Sequence, residues 1–159
     1  MAVDFTINAN HCVCFPSKVL STRVGHNYNI VLTANTDNGA IVGRGAYVSF
    51  DNYQEAAAPA EFKGIIREKA ANGIGYYVEV TAINPQKEAI MIYETPIFTR
   101  DERDLRQDKM WYNKAGETVM GIVLTIGDII EISAEGFDGT PVANREVTVV
   151  NKKLKVANA

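Results

Sequence analysis

The sequence predicts a mainly β chain: a single compact β-barrel or β-sandwich-like domain with an extended N-terminal arm and little helix. Three observations lead there. Apolar and polar residues alternate with a period of two along most of the chain, the pattern of strands with one buried face. Turn signals built on Gly, Asn, Asp and Pro recur at roughly 8–12-residue spacing, which suits a sandwich or a small, partly open barrel. Helical spacing is scarce.

Residues 1–20 show weak periodicity and contain Pro16, so they read as an arm, with the β-rich domain over 21–159. Tyr28, Ile30, Leu32 and Ala34 alternate with Asn27, Asn29, Val31 and Thr33, which gives a half-buried strand. Asp37-Asn38-Gly39 follows as a turn, because Asn and Gly tolerate positive φ. Ile41-Val42 and residues 47–50 supply two short strands, and Gly43 and Gly45 between them suit a bulge or a barrel corner. Residues 54–60 are alanine-rich, but Pro59 interrupts them and they carry no apolar stripe.

Residues 62–71 fit two or three helical turns, with Phe62, Ile65, Ile66 and Lys69 at helical spacing, and they fit a strand nearly as well. Gly73-Ile74-Gly75 opens a strong strand over 76–83, with Val78, Val80 and Ala82 on one face, and Asn84-Pro85-Gln86 turns the chain. Residues 89–93 are apolar on both faces and belong in the middle of the core. Met120, Ile122, Leu124 and Ile126 form one apolar face, and Gly127-Asp128 turns into a strand over 129–134. Residues 135–141 read as a loop, and 146–150 with 154–156 flank Asn151-Lys152-Lys153 as a closing hairpin.

With 159 residues, 47% hydrophobic and 22% charged, the chain can bury a proper core as one domain. A formal net charge of −3 argues against nucleic-acid binding, which needs a cationic surface to release counterions. No apolar run approaches the roughly 18 residues that cross a bilayer, so no membrane partner is expected. The first eight residues carry neither a basic n-region nor an apolar h-region, so synthesis in a cytoplasm is expected.

No set of residues assembles into a catalytic, metal or cofactor site. Cys12 and Cys14 are i, i+2 neighbours, too close in the chain for an unstrained disulfide, and read as reduced, buried thiols. His11, Cys12 and Cys14 fall short of the four ligands of a structural zinc, and the only other histidine is His26. Gly43-Arg44-Gly45 and Gly73-Ile74-Gly75 lack the third glycine and the strand–loop–helix setting of a dinucleotide site. The run 100–109 holds eight charged residues in ten, which reads as a solvated loop of mutually neutralising charges rather than a pair of desolvated carboxylates.

The run 111–133 contains Asn113-Lys114-Ala115-Gly116-Glu117, then Gly127-Asp128-Ile129, and is followed by the acidic loop Glu135-Gly136-Phe137-Asp138-Gly139. Together with 37–43, 76–80 and 92–96, this pattern resembles small virion proteins of tailed bacteriophages, the capsid (head) decoration or cement proteins. The resemblance spans about 25–156. It implies a virion protein on the capsid exterior that bridges neighbouring subunits. The major capsid protein would be its partner, and a second copy of the chain a further one. A tail or baseplate module would use the same scaffold, whereas an enzyme or ligand-binding barrel would need a deep polar pocket.

Two surfaces are expected to make the contacts. One is the charged run, with Arg103 and Arg106 in it, and the adjacent Trp111 and Tyr112, because Trp, Tyr and Arg are enriched at interface hot spots; Trp111 packed in the core is the other reading. The second is the arm, in which Phe5 and Ile7 alternate as they would in an added strand.

Overall fold

A computed structural model describes residues 11–50, 52–71, 73–94 and 112–158. Strand makes up 49% of it and helix 6%, in two curled sheets packed as a sandwich and half-barrel. Phe5, Ile7, Arg103, Arg106 and Trp111 lie outside the described residues.

The first sheet holds seven strands in the order β1 (Cys14–Phe15), β10 (Ile129–Ser133), β7 (Gly75–Ile83), β6 (Phe62–Lys69), β12 (Glu146–Val150), β13 (Lys153–Val156) and β11 (Phe137–Asp138). All pairs are antiparallel except β11 with β13. Its inner face carries Ile66, Val78, Val80, Ile130, Ile132, Val147 and Leu154, each at most 1% exposed. The outer face is polar and wet, with ion pairs such as Arg67 to Glu79 at 2.7 Å. This is the one-sided burial that period-two alternation encodes.

The second sheet runs β3 (Ile41–Val42), β8 (Ile90–Ile92), β9 (Thr118–Val123), β2 (Asn27–Val31), β5 (Asn52–Glu55) and β4 (Arg44–Ser49). Its outermost members, β3 and β4, are consecutive in the chain and separated only by Gly43, so the sheet curls toward closure. Gly43 stands where a Cβ would meet the Ala56 side chain at 3.0 Å, and its carbonyl accepts from the Ala56 N–H. That close approach explains a glycine at this corner.

The central strands of this sheet are buried on both faces. Met91, Ile122 and Leu124 point toward the first sheet and join its core. Ile90, Ile92, Val119 and Val123 point the other way, and with Ile30, Leu32 and Val42 they fill the curled sheet. Residues 89–93 therefore read as a continuous apolar run because both faces are dry over 89–92, with Tyr93 half-buried at the end. Burying each such Ile fully contributes on the order of 1.5–3 kcal/mol.

Residues 62–69, which fit either element, form strand: Phe62 and Ile66 are buried, whereas Ile65 packs at partial exposure, so burial follows the pleat and not a helical stripe. Several expectations are corrected. Ala82 is exposed, because the register steps from Lys63 opposite Ala82 to Gly64 opposite Val80 and the bulge at Thr81 breaks the alternation. Ile126 sits 67% exposed in the β9–β10 turn, past the end of its strand. Part of the segment read as an arm is core: Cys12, Cys14 and Val19 are buried, and β1 pairs with β10. A one-turn helix α1 (Leu20–Val24) follows, ended by Gly25 in the left-handed region and anchored by Asp128, whose carboxylate accepts from the Leu20 N–H.

Gly39 supplies the turn expected at Asp37-Asn38-Gly39. Its φ is +85°, and an added Cβ would lie 2.7 Å from Cys12 Sγ. Gly39→Ala is expected to lower stability by about 1–3 kcal/mol, read as a fall in melting temperature.

Candidate functional site

The tip of the β4–β5 hairpin places Phe50 in the connection between the two strands, where the sequence suggested strand. Its φ is +47°, a conformation that L side chains avoid, and its side chain is 91% exposed. A glycine or asparagine would fill that position without strain. Neither packing nor backbone geometry accounts for a phenylalanine here.

Behind it stands a ladder of rings. Tyr47 lies opposite Tyr53 in the β4–β5 register, with ring centres 5.6 Å apart. Tyr53 meets Tyr28 of β2 at 5.1 Å, and Tyr28 meets His26 at 5.4 Å. All three contacts are edge-to-face, the arrangement the ring quadrupoles favour. The Arg44 guanidinium lies over both Tyr28 and Tyr53, at 4.7 and 5.0 Å from the ring centres, and pairs with Glu88 at 3.4 Å. Burial, with Glu88 beside it, pushes the Tyr28 phenol above its ordinary value against the opposing Arg44 charge. Tyr28 and Tyr53 pack on the core of the curled sheet, while Tyr47 is 61% exposed and Val48 51%. The result is a rigid tyrosine–arginine surface ending in an exposed phenylalanine, the composition of a protein-docking patch.

At the opposite end of β2 the chain leaves and re-enters at one place. Asn38 accepts from the Glu94 N–H through its side-chain oxygen and donates to the Glu94 carbonyl. The Asn113 side chain donates to the same Asn38 oxygen and to the Thr36 carbonyl. Glu94 and Asn113 are thus clasped together, and Tyr112, the one nominated contact residue among those described, is half-buried with its ring 6.2 Å from His11. The two nominated segments therefore join the domain side by side.

His11 Nδ1 lies 2.8 Å from Asp37, next to Cys12, which raises the question of a thiol nucleophile. The thiol does not qualify. Cys12 is 4% exposed, and its Sγ packs where Cβ atoms on Gly39 and Gly136 would fall. Burial pushes its pKa up to about 12, and burial likewise raises that of Cys14. A thiolate is the nucleophile, so neither sulfur is activated. A cleft of about 210 Å³ lies beside Cys12, lined by both signs of charge from Asp37, Glu135, Lys152 and Lys153. Among the described residues, no three His, Cys, Asp or Glu side chains converge as they would on a metal.

Both thiols titrate higher folded than unfolded. Their contribution to stability is complete below about pH 9 and is lost as the pH rises toward 12. Native protein is expected to react with a thiol reagent only on the timescale of unfolding at pH 8, with melting temperature falling above about pH 9; rapid stoichiometric labelling would contradict this burial.

No family model, no curated protein and no solved structure matches the chain. The ladder was not nominated from the sequence. Its signal was the spacing of Tyr47, Phe50 and Tyr53, three rings within seven residues around a hairpin turn.

Proposed function

We propose that the chain is a structural protein of a tailed-phage virion that binds the outside of the assembled capsid shell and bridges neighbouring major capsid subunits. The observation that carries a docking role is Phe50: an aromatic side chain held almost fully in solvent, on strained backbone, at the tip of the β4–β5 hairpin. Strain and exposure of this kind are retained where the surrounding structure fixes a residue for use. The patch behind it is preorganised by three ring contacts and by Arg44, so little side-chain freedom is lost on docking. The assignment to a capsid rests on the resemblance of the 111–139 pattern to decoration proteins. A sandwich with a two-sided core suits the task, because a rigid module can tie subunits together through several weak contacts.

The test is quantification of purified virions by gel densitometry against the major capsid protein. The expected result is a copy number of the same order as the capsid protein. A handful of copies per particle would move the chain to the tail or baseplate, and absence from virions would overturn the reading.

A further inference from the structure

The two sheets end in four edges, and three of them are very short: β1, β11 and β3 are two residues each. Short edges leave little for another chain to pair with, a common protection against unwanted strand addition. The fourth edge, β4, is six residues long and pairs with β5 alone among the described residues. Arg44 at its start reaches Glu88, but Gly45, Ala46, Tyr47, Val48 and Ser49 beyond it present an edge with no lysine, no proline and no carboxylate. Ala46, Tyr47 and Val48 are exposed.

The chain also contains a segment of matching length and pattern. Residues 1–10 precede the described part and join it at His11. Within them Val3, Phe5 and Ile7 alternate with Asp4 and Thr6, so five residues carry the period of a strand with one apolar face. Between His11 and the paired stretch, residues 8–10 leave about 13 Å of chain when extended, enough to cross a contact between adjoining copies.

We propose that residues 3–7 of one copy add as a strand to the open β4 edge of a second copy, so that neighbouring molecules are linked through main-chain hydrogen bonds. Phe5 then lies on one face of the sheet, beside whichever of the exposed β4 side chains Tyr47 and Val48 shares that face, since the two alternate across the strand. Strand addition of this type draws its affinity from the backbone and its register from alternate side-chain pockets. The donor and the acceptor edge are different surfaces, so the contact is heterologous and can propagate from copy to copy. The proposal is independent of the capsid reading, since its test contains no shells.

The experiment is sedimentation velocity on the full chain at concentrations up to about 200 µM, with two variants whose folds are checked by circular dichroism. Phe5→Pro with Ile7→Pro removes the donor, because proline cannot pair in a ladder. Val48→Lys blocks the acceptor with an edge charge. The full chain should show a mass that rises with concentration, and each variant alone should remain monomeric. An equimolar mixture of the two variants should form a one-to-one complex, since the double-proline variant keeps the edge and the lysine variant keeps the donor. A monomeric full chain would overturn the proposal. So would a double-proline variant that associates as the full chain does, which would indicate β4 pairing with β4. Failure of the mixture to form a complex would also overturn it.

Discussion

Replacing Tyr47 by Ala together with Phe50 by Gly is expected to weaken binding to capsid shells by about 100-fold or more, with no loss of thermal stability. Hot-spot aromatics typically contribute about 2 kcal/mol or more each when truncated, so two of them suffice for this factor. The stability half of the expectation follows from geometry. Phe50 has φ +47° and buries almost nothing, so glycine removes the strain and forfeits no packing. Tyr47 is 61% exposed and touches the ladder through Tyr53 only at its outer end. A purely structural role for these rings would give the opposite result: stability would fall and binding would follow it. Equal binding by variant and parent, at equal melting temperature, would remove this face from the docking account. The measurement is a shell-binding isotherm beside a thermal melt of the same preparations.

Lys152→Met is expected to lower stability by about 2–4 kcal/mol at pH 7, the largest loss expected from breaking any one ion pair among the described residues. Lys152 occupies the β12–β13 turn at φ +66°, after Asn151 at φ +50°, the paired left-handed residues of a tight hairpin. From there its ammonium reaches Glu55 at 2.5 Å, while the Glu55 side chain is only 3% exposed. The same carboxylate accepts from the Thr33 N–H and hydroxyl, both at 3.0 Å. Methionine keeps the apolar stem but leaves a buried carboxylate without its cation.

The pH dependence of this variant separates the ion pair from packing. Burial alone would raise the pKa of Glu55, but hydrogen bonds from Lys152 and Thr33 outweigh it and hold the carboxyl below its ordinary value. In the parent protein, Glu55 therefore contributes stability above about pH 4.5, and the contribution is lost as the pH falls through the lowered folded value. Without Lys152 the burial effect gains weight and protonation relieves the site. The difference between parent and variant should be largest near neutrality and shrink on acidification. A difference independent of pH from 7 down to about 3 would assign the effect to packing or to the turn instead.

How much of this was legible in the sequence depends on whether local pattern or register decided the outcome. The strand around Ile30, the apolar run at 89–93, the Ile122–Leu124 face and the closing hairpin are each encoded by their own residues and lie where their patterns placed them, except that β2 ends at Val31 and leaves Ala34 exposed. Residues 62–69 were ambiguous because Phe62, Ile65 and Ile66 satisfy both periods, and pairing with β7 and β12 decided for strand. Cys12, Cys14 and Val19 looked like part of an arm because Pro16 interrupts them, yet two pairs with β10 bring this stretch into the core.

The ladder was hidden for a different reason. Tyr28, Tyr47 and Tyr53 come from neighbouring strands, with His26 just ahead of β2, and only the β4–β5 and β2–β5 registers bring the tyrosines together. Phe50 reads as the end of a strand until its backbone angle is known. Of the contacts nominated from the sequence, Tyr112 packs beside His11 at the clasped end, while Phe5, Ile7, Arg103, Arg106 and Trp111 lie outside the described residues.

The central claim is that this chain docks on an assembled capsid. Its most direct test is co-sedimentation of the purified protein with empty shells, run beside a pull-down of unassembled major capsid protein. A docking site that spans neighbouring subunits is complete only after assembly. Single contacts of order 10⁻⁴ M then combine with a gain of roughly 10² or more through effective concentration. The account predicts saturable binding to shells and at least about 100-fold weaker binding to free subunits. Equal affinity for both would contradict the bridging role, and no binding to shells would contradict the claim itself.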